Sequence, residues 1–180
     1  MCRKNTVALN TIYDMCSAQN LDPKENLLKA KLLLGSYRHI CWASLGVCKV
    51  ASDDDFYVCD ENIKVGLNYL ASYSPAEEKR NFEKQLKAMF DSSWMVQLVD
   101  DTMIQVKEFP DLGDIYFELL SKAYLSKFKY VEADLVELFK MDRSTFYDRK
   151  KEAVLVFALA LWGTVLPRLR DILDETDWPD

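Results

Sequence analysis

Residues 153–162 constrain the fold of this chain more than any other segment, because all ten of them are apolar. A helix that is apolar on every side is buried on every side. The run has about half of the roughly 20 residues that a membrane-spanning helix needs. We therefore expect it to form the buried part of a long last helix, covered either by other helices of this chain or by a second subunit.

Helix-start signals and the scarcity of turn residues extend this interpretation to the whole chain. Glycine and proline number only five each in 180 residues, whereas all-β folds and phosphate-binding loops use both in turns. Asp22-Pro23 and Ser74-Pro75 each predict a capped helix start. The sequence therefore predicts an all-α protein. The apolar residues at helical spacing are Leu27, Ala30, Leu34, Tyr37, Cys41 and Cys48 after the first cap, and Phe82, Leu86, Met89 and Phe90 after the second.

Turn signals divide the sequence into three segments. Residues 110–113 separate a helical N-terminal region, 1–110, from a predicted helix-turn-helix domain, 111–163. Gly163 is expected to end the last helix, because glycine commonly follows a helix C-terminus. Residues 164–180 are then expected to form an acidic amphipathic tail.

Residues 132–152 have the pattern of a helix-turn-helix unit, which needs a short first helix, a tight turn and a capped second helix. Apolar side chains give the first helix an inward face, and Met141 lies in the turn. Asp142 is placed to cap the second helix, which begins at Arg143. Phe146 is the expected inward anchor of that helix.

The second helix carries side chains that can read DNA. Recognition helices place their N-terminal residues against base edges in the major groove. Arg143 at the tip suits a bidentate contact to guanine, and Asp148 can accept from the amino group of cytosine. The predicted base contacts are Arg143, Ser144, Tyr147 and Asp148, and the predicted phosphate contacts are Thr145, Arg149, Lys150 and Lys151.

The charge distribution bears on whether double-stranded DNA is a suitable partner, because the whole chain has a net charge of −6. Residues 121–151 contain eight positive and five negative side chains, a local excess of three positive charges. Local excess matters more than the total when the Debye length is about 10 Å. The excess is modest, so we expect weak non-specific binding that depends on a dimer.

The apolar run also offers a surface for a homodimer. On a helical wheel, Leu155, Leu159 and Trp162 continue the outward face that Ser144 and Asp148 begin. A homodimer through these three side chains would bury them. Their burial within a single chain is the equally weighted alternative.

Residues 141–153, Met-Asp-Arg-Ser-Thr-Phe-Tyr-Asp-Arg-Lys-Lys-Glu-Ala, resemble the C-terminal helix-turn-helix of ArpU-type phage transcriptional regulators. They resemble region four of bacterial sigma factors more remotely. Asp142 stands where serine is usual, and aspartate also caps a helix. Residues 157–163 are similar to the closing helix of such phage or mobile-element proteins. The resemblance, over residues 115–163, implies a transcriptional regulator of a prophage or related element.

A second function class is a non-enzymatic helical protein-interaction module, such as a phage-encoded inhibitor or adaptor with an acidic surface that mimics nucleic acid. The acidic total charge supports this alternative, and the basic recognition helix opposes it. The location of the negative charges separates the two classes.

Catalytic, metal, cofactor and small-molecule sites are not predicted. The sequence lacks the P-loop, HExxH and GxSxG motifs. Its one histidine, His39, is two residues from Cys41, so the two side chains point in different directions on a helix. A zinc site that adds Cys48 and Cys59 would have no standard spacing, so buried thiols are favoured. The acids at 53–55 predict a solvated loop rather than a calcium site. No secretory signal is recognisable, so a cytoplasmic location is expected.

Overall fold

The computed structural model of the chain describes residues 5–47, 60–75 and 94–175. These residues are mostly helical and contain no strand, which confirms the predicted all-α fold. The described helices are α1 (Val7–Ala18), α2 (Pro23–Val47), α3 (Asp60–Ser72), α4 (Trp94–Lys107), α5 (Gly113–Leu120), α6 (Glu132–Leu138), α7 (Arg143–Ala160) and α8 (Leu166–Glu175). Two π-helical turns follow directly on helices: Ser121–Leu125 extends α5, and Leu161–Val165 joins α7 to α8.

The first predicted helix start is confirmed. The Asp22 carboxylate accepts from the backbone N–H of Lys24 at 2.9 Å, and α2 begins at Pro23. On the predicted apolar face of α2, Ala30, Leu34 and Tyr37 are buried, and Leu27 and Cys41 are half-buried against the same core. The predictions that lie outside the described residues are the helix that follows Ser74-Pro75, the acidic loop at 53–55, and the environments of Cys48 and Cys59.

Helix α7 is the centre of the structure and packs against α1, α2, α4 and α5. Every residue from 152 to 159 is buried, so the helix is covered on all sides there. The predicted burial of the apolar run is therefore confirmed, and helices from the N-terminal region supply most of the cover.

The three side chains of the predicted homodimer contact, Leu155, Leu159 and Trp162, are already covered within the single chain. Leu155 is fully buried, and Leu159 and Trp162 are only 6% and 8% exposed within the single chain. The indole N–H of Trp162 donates to the backbone oxygen of Leu70 in α3 at 2.8 Å. Burial within one chain is the alternative that the structure shows, because helices of the same chain already cover this face.

Gly163 does not end the helix, contrary to the prediction from its usual role. The chain continues from α7 through Leu161–Val165 into α8, and Gly163 has no positive φ. Its missing side chain matters for packing instead, because a Cβ there would lie 1.7 Å from Oε1 of Gln19. The segment expected to be a tail is helix α8 up to residue 175, and Leu169 and Leu173 pack against the core.

One hydrophobic cluster runs through all three predicted segments. It contains side chains from Leu9 in α1 to Leu166 at the start of α8. The turn at 110–113 lies between α4 and α5, and beside it the rings of Phe109 and Tyr116 pack with their centres 5.7 Å apart. The N-terminal helices and the helix-turn-helix unit therefore share one core across the predicted boundary.

By length and composition alone, one helical run among the described residues is apolar enough to cross a membrane. It is the continuous run Arg143–Asp174, of 32 residues, and 72% of its most apolar window is buried inside the structure. That burial is compatible with the core helix of a soluble protein.

Gly113→Ala is expected to destabilise the protein by about 1–3 kcal/mol, the usual cost of overpacking. A Cβ on Gly113 would lie 2.1 Å from the carbonyl oxygen of Lys107, and this backbone atom cannot rotate away. The matched control is Gly35→Ala inside α2, where nothing lies within 4 Å of the added Cβ. It should stabilise the protein by up to about 1 kcal/mol, because alanine is the better helix former. Urea denaturation measures both changes, and equal effects would contradict the close packing at Gly113.

Candidate nucleic-acid interface

The turn between α6 and α7 consists of residues 139–142 and closes α6 by a Schellman motif. Lys140 has a φ of 50°, and its N–H donates to the carbonyl of Glu137 at 3.0 Å. The N–H of Met141 donates to the carbonyl of Val136 at 3.3 Å. These two bonds satisfy carbonyls that a helix end otherwise leaves without partners. The turn is therefore held by backbone geometry and needs no glycine.

Asp142 begins α7 as its N-cap, as the sequence predicted. Its carboxylate accepts from the Thr145 N–H at 2.9 Å, from the Ser144 hydroxyl at 2.7 Å, and from the Thr145 hydroxyl. The hydrogen bonds from Thr145 and then Ser144 hold the pKa of Asp142 far below its ordinary value. The cap also engages the Thr145 hydroxyl, which is one of the predicted phosphate contacts.

A small second core fixes the angle between α5, α6 and α7. Leu119 from α5, Leu135 from α6 and Phe146 from α7 are buried together. This confirms Phe146 as the inward anchor of α7. The turn residue Met141 packs on the same cluster, with Ala123, Val136 and Phe139. Three helices therefore form the helix-turn-helix unit, with α5 as the supporting helix.

The four predicted base-contacting residues lie together on the first two turns of α7. Arg143 and Ser144 are exposed, Tyr147 is 40% exposed, and Asp148 is half-buried. The Tyr147 hydroxyl donates to Oε2 of Glu132 at 2.8 Å, which ties the ring to the start of α6. We call this group of four side chains the recognition face.

The two predicted phosphate-contacting lysines lie beside the recognition face and contact neighbouring helices. The Lys150 ammonium lies 2.6 Å from Oε1 of Glu132 and 5.6 Å from the centre of the Tyr124 ring. Lys151 lies 5.6 Å from the centre of the Tyr13 ring in α1. The hydrogen bond from Lys150 is the largest cause of the lowered pKa of Glu132. Both ammonium groups are therefore held at the flank of α7.

Arg149 belongs to a buried polar network. It donates to Oε2 of Glu152 at 2.7 Å, and the Glu152 side chain is fully buried. The same carboxylate accepts from the hydroxyl of Tyr116 at 2.9 Å and from the hydroxyl of Thr6. A buried carboxylate is tolerated when it has a counter-ion and satisfied hydrogen bonds. Arg149 therefore neutralises a charge inside the fold, and its contact to a DNA phosphate stays a prediction.

The roles of Glu152 and Thr6 were not predicted from the sequence. The available signal was that Glu152 directly precedes the apolar run, at a position that has to be buried with it. Thr6 has a second role as the N-cap of α1, where its hydroxyl oxygen accepts from the N–H of Leu9 at 3.0 Å. One threonine therefore joins the start of α1 to the middle of α7.

His39 and Cys41 do not converge on a common site. His39 is exposed, whereas Cys41 is half-buried close to Tyr37 and Asp100. The Tyr37 hydroxyl donates to Oδ1 of Asp100 at 3.4 Å. Burial raises the pKa of the Cys41 thiol, which favours the protonated and less reactive form.

The net charge changes sign along residues 94–151. Residues 94–120, which include α4 and α5, contain six acidic residues and one lysine. The following residues, 121–151, carry the local positive excess. The helix-turn-helix unit is therefore the more basic part of this half of an acidic protein. The exposed acids on α4, α5 and the turn between them are Asp100, Asp101, Glu108, Asp111, Asp114 and Glu118.

The sequence matches no family model, and the chain matches no curated protein and no solved structure. The resemblance of residues 141–153 to ArpU-type regulators therefore stays a prediction from the sequence.

Asp142→Ala is expected to lower the melting temperature at neutral pH, because the Thr145 N–H and hydroxyl lose their acceptor. The pKa of Asp142 is lowered on folding from its ordinary value of 3.8. Its contribution is thus complete above that ordinary value and is lost as the pH falls through the folded-state pKa. The gap in melting temperature between wild type and Asp142→Ala should narrow only below about pH 4.

Asp142→Asn is the matched control for this pH series, because asparagine caps a helix but does not titrate. It should remain close to wild type at neutral pH. Its gap to Asp142→Ala should not change with pH. A wild-type gap that is equally independent of pH would contradict the titration of Asp142.

Arg149→Ala is expected to destabilise the protein by about 2–3 kcal/mol, because it leaves the buried Glu152 carboxylate without its counter-ion. This value lies at or below the lower end of the usual range of about 3–5 kcal/mol, because Arg149 is 27% exposed. The double variant Arg149→Ala with Glu152→Gln should recover about 1 kcal/mol or more relative to the sum of the single variants. Urea denaturation of the four proteins measures this coupling. Additive effects would show that Arg149 does not stabilise the buried charge.

Proposed function

We propose that the protein binds double-stranded DNA sequence-specifically and acts as a transcriptional regulator of phage or mobile-element type. The observation that carries this proposal is the three-helix unit of α5, α6 and α7. Its second core fixes the helices, while the capped start of α7 leaves Arg143, Ser144 and Tyr147 exposed. Helix-turn-helix proteins use this arrangement to place a recognition helix in the major groove.

The dimensions and the dipole of α7 are suitable for such docking. Residues 143–148 extend over about 8 Å of the helix axis, and the major groove is about 12 Å wide. The N-terminus of a helix carries partial positive charge, which favours the approach to phosphate groups. Lys140, exposed in the turn, adds a positive charge at the same end and offsets the ionised Asp142 carboxylate that caps the helix.

Each side chain of the recognition face suits a particular contact. Arg143 can donate both of its terminal groups to O6 and N7 of guanine, and Asp148 can accept from the amino group of cytosine. Ser144 can donate or accept, and the ring of Tyr147 offers a large surface beside them. Lys150, at the flank, can approach a phosphate while it remains near Glu132.

Arg149 was predicted from the sequence to contact a DNA phosphate, but in the structure it pairs with Glu152. It would have to leave the buried Glu152 carboxylate to reach a phosphate, and an uncompensated buried charge is costly. The DNA test therefore uses Arg143 rather than Arg149. A loss of binding after substitution of Arg149 could come from unfolding.

The alternative of a protein-interaction module finds support in the exposed acids of α4 and α5. A row of carboxylates can mimic a phosphate backbone for a basic partner. DNA binding is favoured because residues 121–151, which include the start of α7, carry a net positive charge, whereas residues 94–120 are acidic. The proposal implies a cytoplasmic location, where the DNA is, and requires no cofactor or small-molecule substrate.

The proposal is tested by fluorescence anisotropy with duplex DNA of mixed sequence over a salt series. Wild type is expected to bind with an affinity that falls as salt rises, because phosphate contacts release counter-ions. With the tightest-binding duplex selected from a random-sequence pool, Arg143→Ala should lose about tenfold or more in affinity, since a bidentate base contact contributes about 1–3 kcal/mol of discrimination.

Lys24→Ala is the matched control, because it also removes one exposed positive charge. Lys24 lies between Asp22 and Glu25, which line a cavity with Trp162 and Leu166. Trp162 is about 28 Å along the helix axis from Arg143. The control should bind as wild type does. Absence of binding by wild type at low salt would overturn the proposed function. The exposed acids of α4 and α5 would then be tested for a protein partner.

A further inference from the structure

The loop between α5 and α6, residues 126–131, is an exposed segment that the recognition face does not use. Residues 121–131 contain three lysines and no acidic residue. Lys127 and Lys129 are exposed and alternate with Phe128, which is 73% exposed, and Tyr130, which is 38% exposed. Within the described part of the chain, neither lysine forms a salt bridge. We call residues 126–131 the basic loop.

The start of the basic loop is fixed to the body of the protein. The guanidinium of Arg38 in α2 donates to the carbonyl of Ser126 at 2.7 Å and to that of Ala123 at 2.9 Å. The Ser126 hydroxyl oxygen then accepts from the N–H of Phe128 at 3.3 Å. These bonds direct the chain out of the π-helical turn and into the loop.

Both ends of the basic loop also meet α7 at the same place. Tyr124, two residues before the loop, lies under the Lys150 ammonium. Glu132, directly after the loop, binds Lys150 and the Tyr147 hydroxyl. The loop therefore starts and ends beside the second turn of α7, at the flank of the recognition face.

We propose that the basic loop is a second DNA-contacting element of the same unit, a proposal that rests on the proposed function. Lys127 and Lys129 contact two phosphates of the strand beside the major groove. The Phe128 ring packs on the sugar edge between them. Lys127, Lys129 and Phe128 would thus hold the sugar-phosphate backbone of the DNA while the recognition face contacts the bases.

Charge and exposure favour DNA over a protein partner for the basic loop. Two ammonium groups two residues apart, with no acid in the segment, complement a phosphate backbone. An exposed aromatic ring between basic residues is suited to sugars and bases, because a ring can stack on them or wedge between base steps. The tie to Lys150 and Tyr147 puts the loop on the side of the unit from which DNA would approach.

The double variant Lys127→Ala with Lys129→Ala separates this proposal from the recognition face. The slope of log affinity against log salt should become less steep by about 1.8, because each phosphate contact contributes roughly 0.9. Affinity at about 0.1 M salt should fall by about tenfold or more. Phe128→Ala should weaken binding without a change in the slope, since it removes no charge.

Lys24→Ala with Arg170→Ala is the matched control, because it also removes two exposed positive charges. Arg170 lines the same cavity as Trp162, far from the start of α7. This control should keep the wild-type slope. If wild type binds and Arg143→Ala loses binding, but the Lys127/Lys129 variant keeps the wild-type slope, the basic loop is overturned and the recognition helix stands.

Two further outcomes also decide the matter. Equal slope changes in the loop variant and in the control would overturn the loop as a local contact, because the effect would be one of total charge. No DNA binding by wild type would overturn the proposed function together with the loop. The loop residues are exposed, so unchanged circular dichroism and melting temperature are expected for each variant.

Discussion

Covering residues 152–159 of α7 on all sides requires helices from the whole chain, and this requirement positions the other elements. Full burial of an aliphatic or aromatic side chain contributes about 1.5–3 kcal/mol. Val154, Leu155, Val156, Phe157 and Leu159 are all buried, so together they contribute about 7–15 kcal/mol. That range is as large as the net stability of a typical domain. The helices that cover α7 are therefore as necessary to its stability as its own sequence.

The buried stretch of α7 begins with a charged residue, Glu152, whose carboxylate links α7 to α1 and α5. Glu152 accepts from Arg149 on its own helix, from Tyr116 on α5 and from Thr6 at the start of α1. A buried carboxylate is costly when its donors are displaced. The relative positions of α1, α5 and α7 are consequently more narrowly defined than apolar contacts alone would require. The recognition face ends only about one turn before Glu152, so its orientation depends on the same contacts.

Features that depend on local sequence were the ones that could be predicted. The caps at Asp22 and Asp142, the inward Phe146 and the burial of the apolar run follow from short-range patterns, because capping and helix periodicity involve residues three to four apart. Gly163 was misjudged because the close approach of Gln19 comes from a helix more than a hundred residues earlier. For the same reason, the partners of Glu152 on α1 and α5 could not be read from its neighbours. From the sequence, the face of α7 that carries Leu155 could be covered by helices of the same chain or by a second subunit. The choice between them depends on the arrangement of all the helices.

Chain reversals were the least predictable elements. Lys140 adopts a left-handed conformation at the end of α6, a position where glycine is the usual residue and a sequence pattern would search for it. The two π-helical turns likewise have no simple signature in the sequence. The first, Ser121–Leu125, interrupts regular helix near the recognition face, and the second, Leu161–Val165, does so at the α7–α8 junction. At both places the packing of neighbouring helices overrides local preference.

The continuous cover of α7 means that the helix-turn-helix unit cannot be separated from the rest of the chain. Here the helix whose first two turns carry the proposed DNA contacts is also the core helix, and helices of the N-terminal region cover its apolar half. A fragment that begins at residue 111 would therefore expose the apolar half of α7 to water. Under the proposed function, substitutions that change the DNA preference without loss of the fold would fall in the first two turns of α7, where side chains are exposed.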